Sequence, residues 1–199
     1  MRLMFLGAPG AGKGTQAEIV SRRYKIPHLS TGEILRSEVR SGTELGLSIR
    51  STMEAGGLVS DDLISDVVAR RLQQGDAARG FILDGFPRNV AQARWLDGLL
   101  ADERLDAVVE LVVDETVVLE RVLNRARAAL ANSTEVRKDD DVDTMRVRLE
   151  AYRVATRPLS AYYREQGLLF RVDGMKGVHE VTDEILGITA RETVAEQFG

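Results

Sequence analysis

Residues 7–15 read Gly-Ala-Pro-Gly-Ala-Gly-Lys-Gly-Thr and follow the apolar run Leu3-Met4-Phe5-Leu6. Gly7, four residues and then Gly12-Lys13 nearly complete a phosphate-loop pattern, with one extra glycine, Gly14, before the hydroxyl of Thr15. Backbone N–H groups from Gly10 through Ala11 and Gly12 to Gly14 can converge on a phosphate. The helix opening behind them adds positive potential. Lys13 can follow charge as it moves between phosphates, and Thr15 is placed to help hold Mg²⁺, directly or through water. A tight turn without a ligand needs the glycines but not Lys-Gly-Thr in this register. A dinucleotide fingerprint has no lysine requirement.

Asp84 closes the apolar run Phe81-Ile82-Leu83 and precedes Gly85. In an open α/β sheet that is where ligand groups are presented, and an acid there can orient the water shell of Mg²⁺. Arg88 follows within Gly85-Phe86-Pro87-Arg88, beside the same phosphate site. Arg36, Arg121, Arg125, Arg137 and Arg148 complete a set too rich for a simple nucleotide hydrolase. Arg121 and Arg125 share a helix face at i,i+4. Neighbouring guanidinium groups repel unless a highly charged anion joins them, and their planar fork suits phosphate oxygens. Phosphoryl transfer needs such clamps, and it needs water shut out by mobile arms.

These groups have to be carried by a frame. The sequence predicts strands at 2–6, 26–30, 80–85, 107–113 and 168–172. Helices are predicted at 13–24, 31–39, 43–55, 60–72, 89–100, 115–129, 142 to about 166, and 178 to about 194. Thr31 is the expected cap of the second helix, and Ser60-Asp61-Asp62 of the fourth. Short apolar strands alternating with helices imply an α/β fold: a five-stranded parallel sheet between two helical layers. Segments near 30–60 and 126–141 break the alternation and read as two small mobile inserts on a single body.

Composition narrows the classes. The 199 residues suffice for one full core. There is no cysteine and there are two histidines, His28 and His179, so disulfides and thiolate or histidine-rich metal sites are excluded. A formal net charge of −4 does not suggest a nucleic-acid partner. No apolar run approaches membrane-spanning length, and residues 2–6 run straight into the glycines with no leader-cleavage region. The expectation is a cytoplasmic protein that engages neither membrane nor nucleic acid.

Taken together, the chain resembles the adenylate kinase family of nucleoside monophosphate kinases over essentially its whole length, and within it the bacterial short-lid type. The resemblance is carried by Gly7 to Gln16, by Leu29-Ser-Thr-Gly-Glu-Ile-Leu-Arg36, and by Gly57-Leu-Val59. It is carried further by Asp84-Gly-Phe-Pro-Arg88 with Gln92, by Arg137-Lys-Asp139-Asp140, and by Arg148-Leu-Glu150 with Arg153. It implies one P-loop kinase domain over 1–199, with a monophosphate-binding insert at 30–59 and a short lid at 126–137. The implied reaction is reversible and Mg²⁺-dependent: ATP and AMP give two ADP.

The resemblance also implies residue roles. The loop from Gly10 to Thr15 holds the ATP phosphates, with Lys13 on the donor, Arg121 against the ATP base, and Lys176 on the same side. Arg36 and Arg88 hold the AMP phosphate. Thr31, Gly32, Leu58, Val59 and Gly85 border AMP, and Gln92 reads its adenine edge. Arg125, Arg137 and Arg148 surround the transferred group with Lys13 and Arg88. Mg²⁺ is held mainly by phosphates and water, with Thr15 and Asp84 nearby, and the family pattern suggests a monomer.

The chain departs from the family pattern in three places. Glu33 stands where the family usually has aspartate. No glycine precedes Arg137, and the lid stretch 128–134 is longer and more apolar than the usual short lid. Two rival readings are a UMP/CMP-type pyrimidine monophosphate kinase and a nucleotide-binding regulator without transfer activity. Gln92 speaks against the first, and Arg36, Arg88 and Gln92 in register speak against the second.

Overall fold

The computed structural model describes residues 1–101, 103–131 and 141–198; the side chains of 126, 129, 130 and 192–198 are left aside. Five parallel strands form one sheet in the order β2-β3-β1-β4-β5: β1 (Arg2–Gly7), β2 (His28–Ser30), β3 (Phe81–Asp84), β4 (Ala107–Val112) and β5 (Leu169–Asp173). The central strands read as unbroken apolar runs because both faces are covered. Leu3, Phe5, Ile82, Val109 and Leu111 point toward α1 (Lys13–Tyr24) and α9 (Val178–Phe198). Met4, Leu6, Leu83 and Val108 point the other way, into the larger core.

That second layer holds α2 (Thr31–Ser41), α3 (Glu44–Glu54), α4 (Asp61–Leu72), α5 (Val90–Leu100) and α8 (Leu159–Glu165). Phe86 meets Trp95 of α5 edge to face, with ring centroids 5.8 Å apart. A third cluster joins the phosphate loop to two further helices, α6 (Glu115–Ala131) and α7 (Val142–Ala151). In it Ala8 packs with Val118, Val122, Met145 and Leu149. Among the described residues no helix is long and apolar enough to cross a membrane.

Three local details differ from the sequence reading. Helix α2 is capped by Ser30, whose Oγ accepts from the Glu33 N–H, while Thr31 is its buried first residue. Ser60 sits at the cap position of α4 without a side-chain hydrogen bond, and the Asp61 carboxylate accepts from Gln92 Nε2 instead of capping. The single long helix expected over 142–166 is broken. Residues Tyr152–Thr156 form a π-helical turn in which the Arg157 N–H reaches back to the Tyr152 carbonyl at 2.8 Å. Pro158 explains the break, since it has no N–H and its ring crowds the carbonyl four residues back.

Helices α2 and α3 cross at Gly46, which is buried; a Cβ there would lie 2.1 Å from the Glu38 carbonyl oxygen. Gly46→Ala is therefore expected to push the two helices apart and cost about 1–3 kcal/mol. A thermal melt of the variant beside the parent checks this, and an unchanged midpoint would refute the close approach.

Candidate active site

The phosphate loop links β1, the middle strand, to α1. Gly12 takes a left-handed φ of 100° at the N-cap of α1, a conformation that strains any residue with a Cβ. Lys13 folds back over the loop, and its Nζ donates to the carbonyls of Gly7 (2.8 Å) and Ala8 (3.0 Å). Thr15 is exposed on the rim. The parallel register pairs Phe5 with Asp84, two residues before Gly7, so the carboxylate stands beside the loop. A Cβ on Gly14 would come 3.6 Å from Asp84 Oδ2.

The electrostatics follow from this crowding. Desolvation pulls the Lys13 ammonium down to about 8, and Arg88, Arg148 and Arg125 push it the same way against the opposing charge of Asp84. Burial would raise the Asp84 carboxyl, but the His28 hydrogen bond and the charges of Lys13 and Arg88 outweigh it and hold it below the usual carboxylate range. Three arginines from different elements are thus felt at one ammonium.

One cleft of about 1170 Å³ brings these groups together. Gly10, Ala11, Gly12, Lys13, Gly14, Thr15, Arg121, Arg125 and Lys176 line it on one side, and Gly32, Arg36, Leu58, Gly85, Arg88 and Arg148 on the other. Arg121 ties the loop to the turn after β5, donating to the carbonyls of Ala11 (3.4 Å) and Gly174 (2.8 Å). Lys176 lines the cleft with its Nζ drawn 2.9 Å from Glu184 of α9.

A smaller pocket opens off the second side, lined by Thr31, Leu58, Val59 and Gln92. Arg36, Arg88 and Arg148 line both spaces and so stand at their junction. The backbone of Arg88 is held at both ends: its N–H donates to Gln92 Oε1 (2.7 Å), and its carbonyl accepts from Thr156 Oγ1 (2.8 Å). The Arg88 Nε donates to the Gly85 carbonyl at 2.8 Å. Thr156 closes the π turn, so the helix break positions an arginine. Arg137, Asp139 and Asp140 lie outside the described residues, as does the stretch 132–137 of the expected lid.

A phosphate loop, a strand-end acid and two joined pockets with arginines between them fit transfer between two phosphorylated ligands. The adenylate kinase family model matches residues 5–168. The chain belongs to the adenylate kinase family. It is 50 % identical over 190 residues to the adenylate kinase of Methylorubrum populi, covering 94 % of this chain and 95 % of that one. To the adenylate kinase of Azorhizobium caulinodans it is 52 % identical over 187 residues, 93 % and 96 % of the two chains. To that of Rhizobium meliloti it is 50 % identical over 192 residues, 96 % of this chain and all of the other. As an adenylate kinase family member the protein is an enzyme, a phosphotransferase, and neither rival reading is favoured.

Two further contacts at or behind the lining of this adenylate kinase-type cleft were not visible in the sequence. His28 Nε2 lies 3.2 Å from Asp84 Oδ2, across 56 positions of chain, because β2 and β3 pair Ser30 with Asp84 and turn both side chains to one face. Asp61 contacts Gln92 from the start of α4. The Glu33 departure has a local consequence. Its longer carboxylate accepts from Arg36 (Nε and Nη2, both 3.1 Å) and from Arg40 (2.9 Å). Burial opposes its ionisation, but the Arg40 hydrogen bond and the Arg36 charge keep its carboxyl below the usual value.

Proposed function

We propose that the enzyme transfers the γ-phosphoryl group of ATP reversibly to AMP, giving two ADP, with the phosphate loop as donor site and the smaller pocket as acceptor site. The observation that carries this is the junction, where Arg36, Arg88 and Arg148 line the donor cleft and the acceptor pocket together. In this reading Lys13 and Arg125 hold the donor phosphates and Arg121 lies against the ATP base with Lys176. Arg36 and Arg88 hold the AMP phosphate, with Gly32 and Gly85 at its edge. An oxygen of that phosphate attacks the γ-phosphorus, one P–O bond forms, the bond to the β-phosphate oxygen breaks, and ADP leaves. No protein nucleophile is required; the chain supplies position and positive charge.

The donor set suits Mg²⁺ carried in with the nucleotide. Thr15 and Asp84 offer hard oxygen near the loop, and among the described residues no cluster of three or more His, Asp or Glu could hold a metal by itself. Bound Mg²⁺ neutralises polyphosphate charge. We assign the acceptor arm to residues 30–59 and the lid to 126–137, with Arg137 joining Arg148 on closure. We read the enzyme as a monomer acting in the cytoplasm, as the family resemblance suggests.

The test is transfer from ATP to AMP, CMP and UMP measured in parallel. AMP is expected to give kcat/KM at least about tenfold above the pyrimidines, on the scale of one well-made base contact. A preference for CMP or UMP, or ATP binding with no transfer to any acceptor, would refute the reading.

A further inference from the structure

The amide of Gln92 is fixed in orientation by its neighbours. Gln92 is 4 % exposed and lines the acceptor pocket from the first turn of α5. Its Oε1 accepts from the Arg88 N–H at 2.7 Å, and its Nε2 donates to Asp61 Oδ1 at 2.7 Å. A backbone N–H can only donate and a carboxylate can only accept, so the amide fits one way round. Asp61 is itself held: Asn89 Nδ2 donates to its two oxygens at 3.0 and 2.9 Å, while Asn89 Oδ1 caps α5 by accepting from the Gln92 N–H at 2.8 Å.

Each end of that amide keeps further capacity, a second N–H on the nitrogen and a second lone pair on the oxygen. Adenine offers a 6-amino donor beside the N1 acceptor. Hypoxanthine offers the reverse at the same two places, a 6-oxo acceptor beside an N1–H donor. An amide that turns about its last torsion can satisfy either base, because that torsion is broad and roughly two-fold. A pinned amide satisfies one, and the other leaves buried polar groups unpaired.

We propose that Asp61 is a positioning residue that sets base selectivity: by locking the Gln92 amide it admits a purine monophosphate with a 6-amino group and rejects the 6-oxo analogue. The proposal rests on the smaller pocket being the AMP site. Asp61 touches no reacting atom and acts through Gln92.

The experiment compares AMP with inosine 5′-monophosphate as acceptors, ATP being the donor, in the parent, Asp61→Ala, Gln92→Ala and the double variant. Asp61→Ala is expected to lower the AMP-to-IMP ratio of kcat/KM by about tenfold or more, chiefly through the acceptor KM, with the ATP KM within about twofold of the parent. In the Gln92→Ala background the same substitution is expected to leave the ratio unchanged. Asp61→Asn, which keeps the shape of the side chain but also offers an N–H to Gln92 Oε1, covers the case in which alanine unfolds α4, and it is expected to lower the ratio too. A merely structural lesion slows both acceptors alike. A parental ratio in Asp61→Ala or Asp61→Asn overturns the proposal and leaves the functional reading standing, as does an equal shift with and without Gln92. A parent that phosphorylates neither acceptor overturns both.

Discussion

Arg88→Ala is expected to lower kcat for the AMP reaction by about 10³-fold while the thermal midpoint stays near that of the parent. The arginine stands where the large cleft and the smaller pocket meet, and in the proposed reaction the charge on the migrating phosphoryl group is greatest between them in the transition state. A guanidinium at that point stabilises the transition state more than either ground state, so the loss appears in kcat and not mainly in KM. The fold should survive because the backbone contacts of Arg88 to Gln92 and Thr156 are kept by alanine, which removes the side-chain contact to the Gly85 carbonyl. Arg88→Lys is expected to recover only part of the activity, since an ammonium cannot grip two phosphate oxygens in one plane. Steady-state kinetics with ATP and AMP, beside a melt, decide the matter. Near-parental kcat in Arg88→Ala would remove the arginine from the reaction.

Lys13→Met is expected to lower turnover by about 10²–10³-fold, and it should also abolish one feature of the pH dependence of stability. The folded chain releases the Lys13 proton near pH 8, whereas the unfolded chain keeps it to the ordinary value of 10.5. Between those values the unfolded state binds one more proton, so the parent gains stability as pH rises through the window, by up to about 3 kcal/mol. Methionine has no such proton, and the variant should lack the gain. The same displacement predicts that kcat/KM of the parent declines above about pH 8, as the ammonium proposed to meet the donor phosphates is lost. Urea melts of both proteins at pH 7.5, 9 and 10.5 measure the difference, and parallel stability curves would show that the ammonium is not perturbed.

The phosphate loop was legible because its chemistry is local. Backbone N–H groups, a lysine and a hydroxyl must lie within nine residues, and the glycines that permit the turn have no other use. Asp84 was legible from its place at the end of an apolar run. The arginines were legible as a group, although their sequence spacing did not reveal which of them line both spaces. The cap of α2 was misplaced by one residue because Ser30 and Thr31 are equally able to cap, and burial of Thr31 under Asp84 chose between them.

By itself, the sequence determined the strand–loop–helix unit, the parallel α/β class and the family. Each depends on residue types at short fixed spacing or on apolar periodicity, which any stretch of the chain carries within itself. Only the tertiary structure decided that His28 meets Asp84, that Asp61 fixes the Gln92 amide, and that a π turn before Pro158 delivers Thr156 to Arg88. Those contacts join positions 31 to 68 residues apart through strand register and helix packing. A hydrogen bond across such a separation leaves no periodic mark on either partner, so its two ends become related only once the chain has folded.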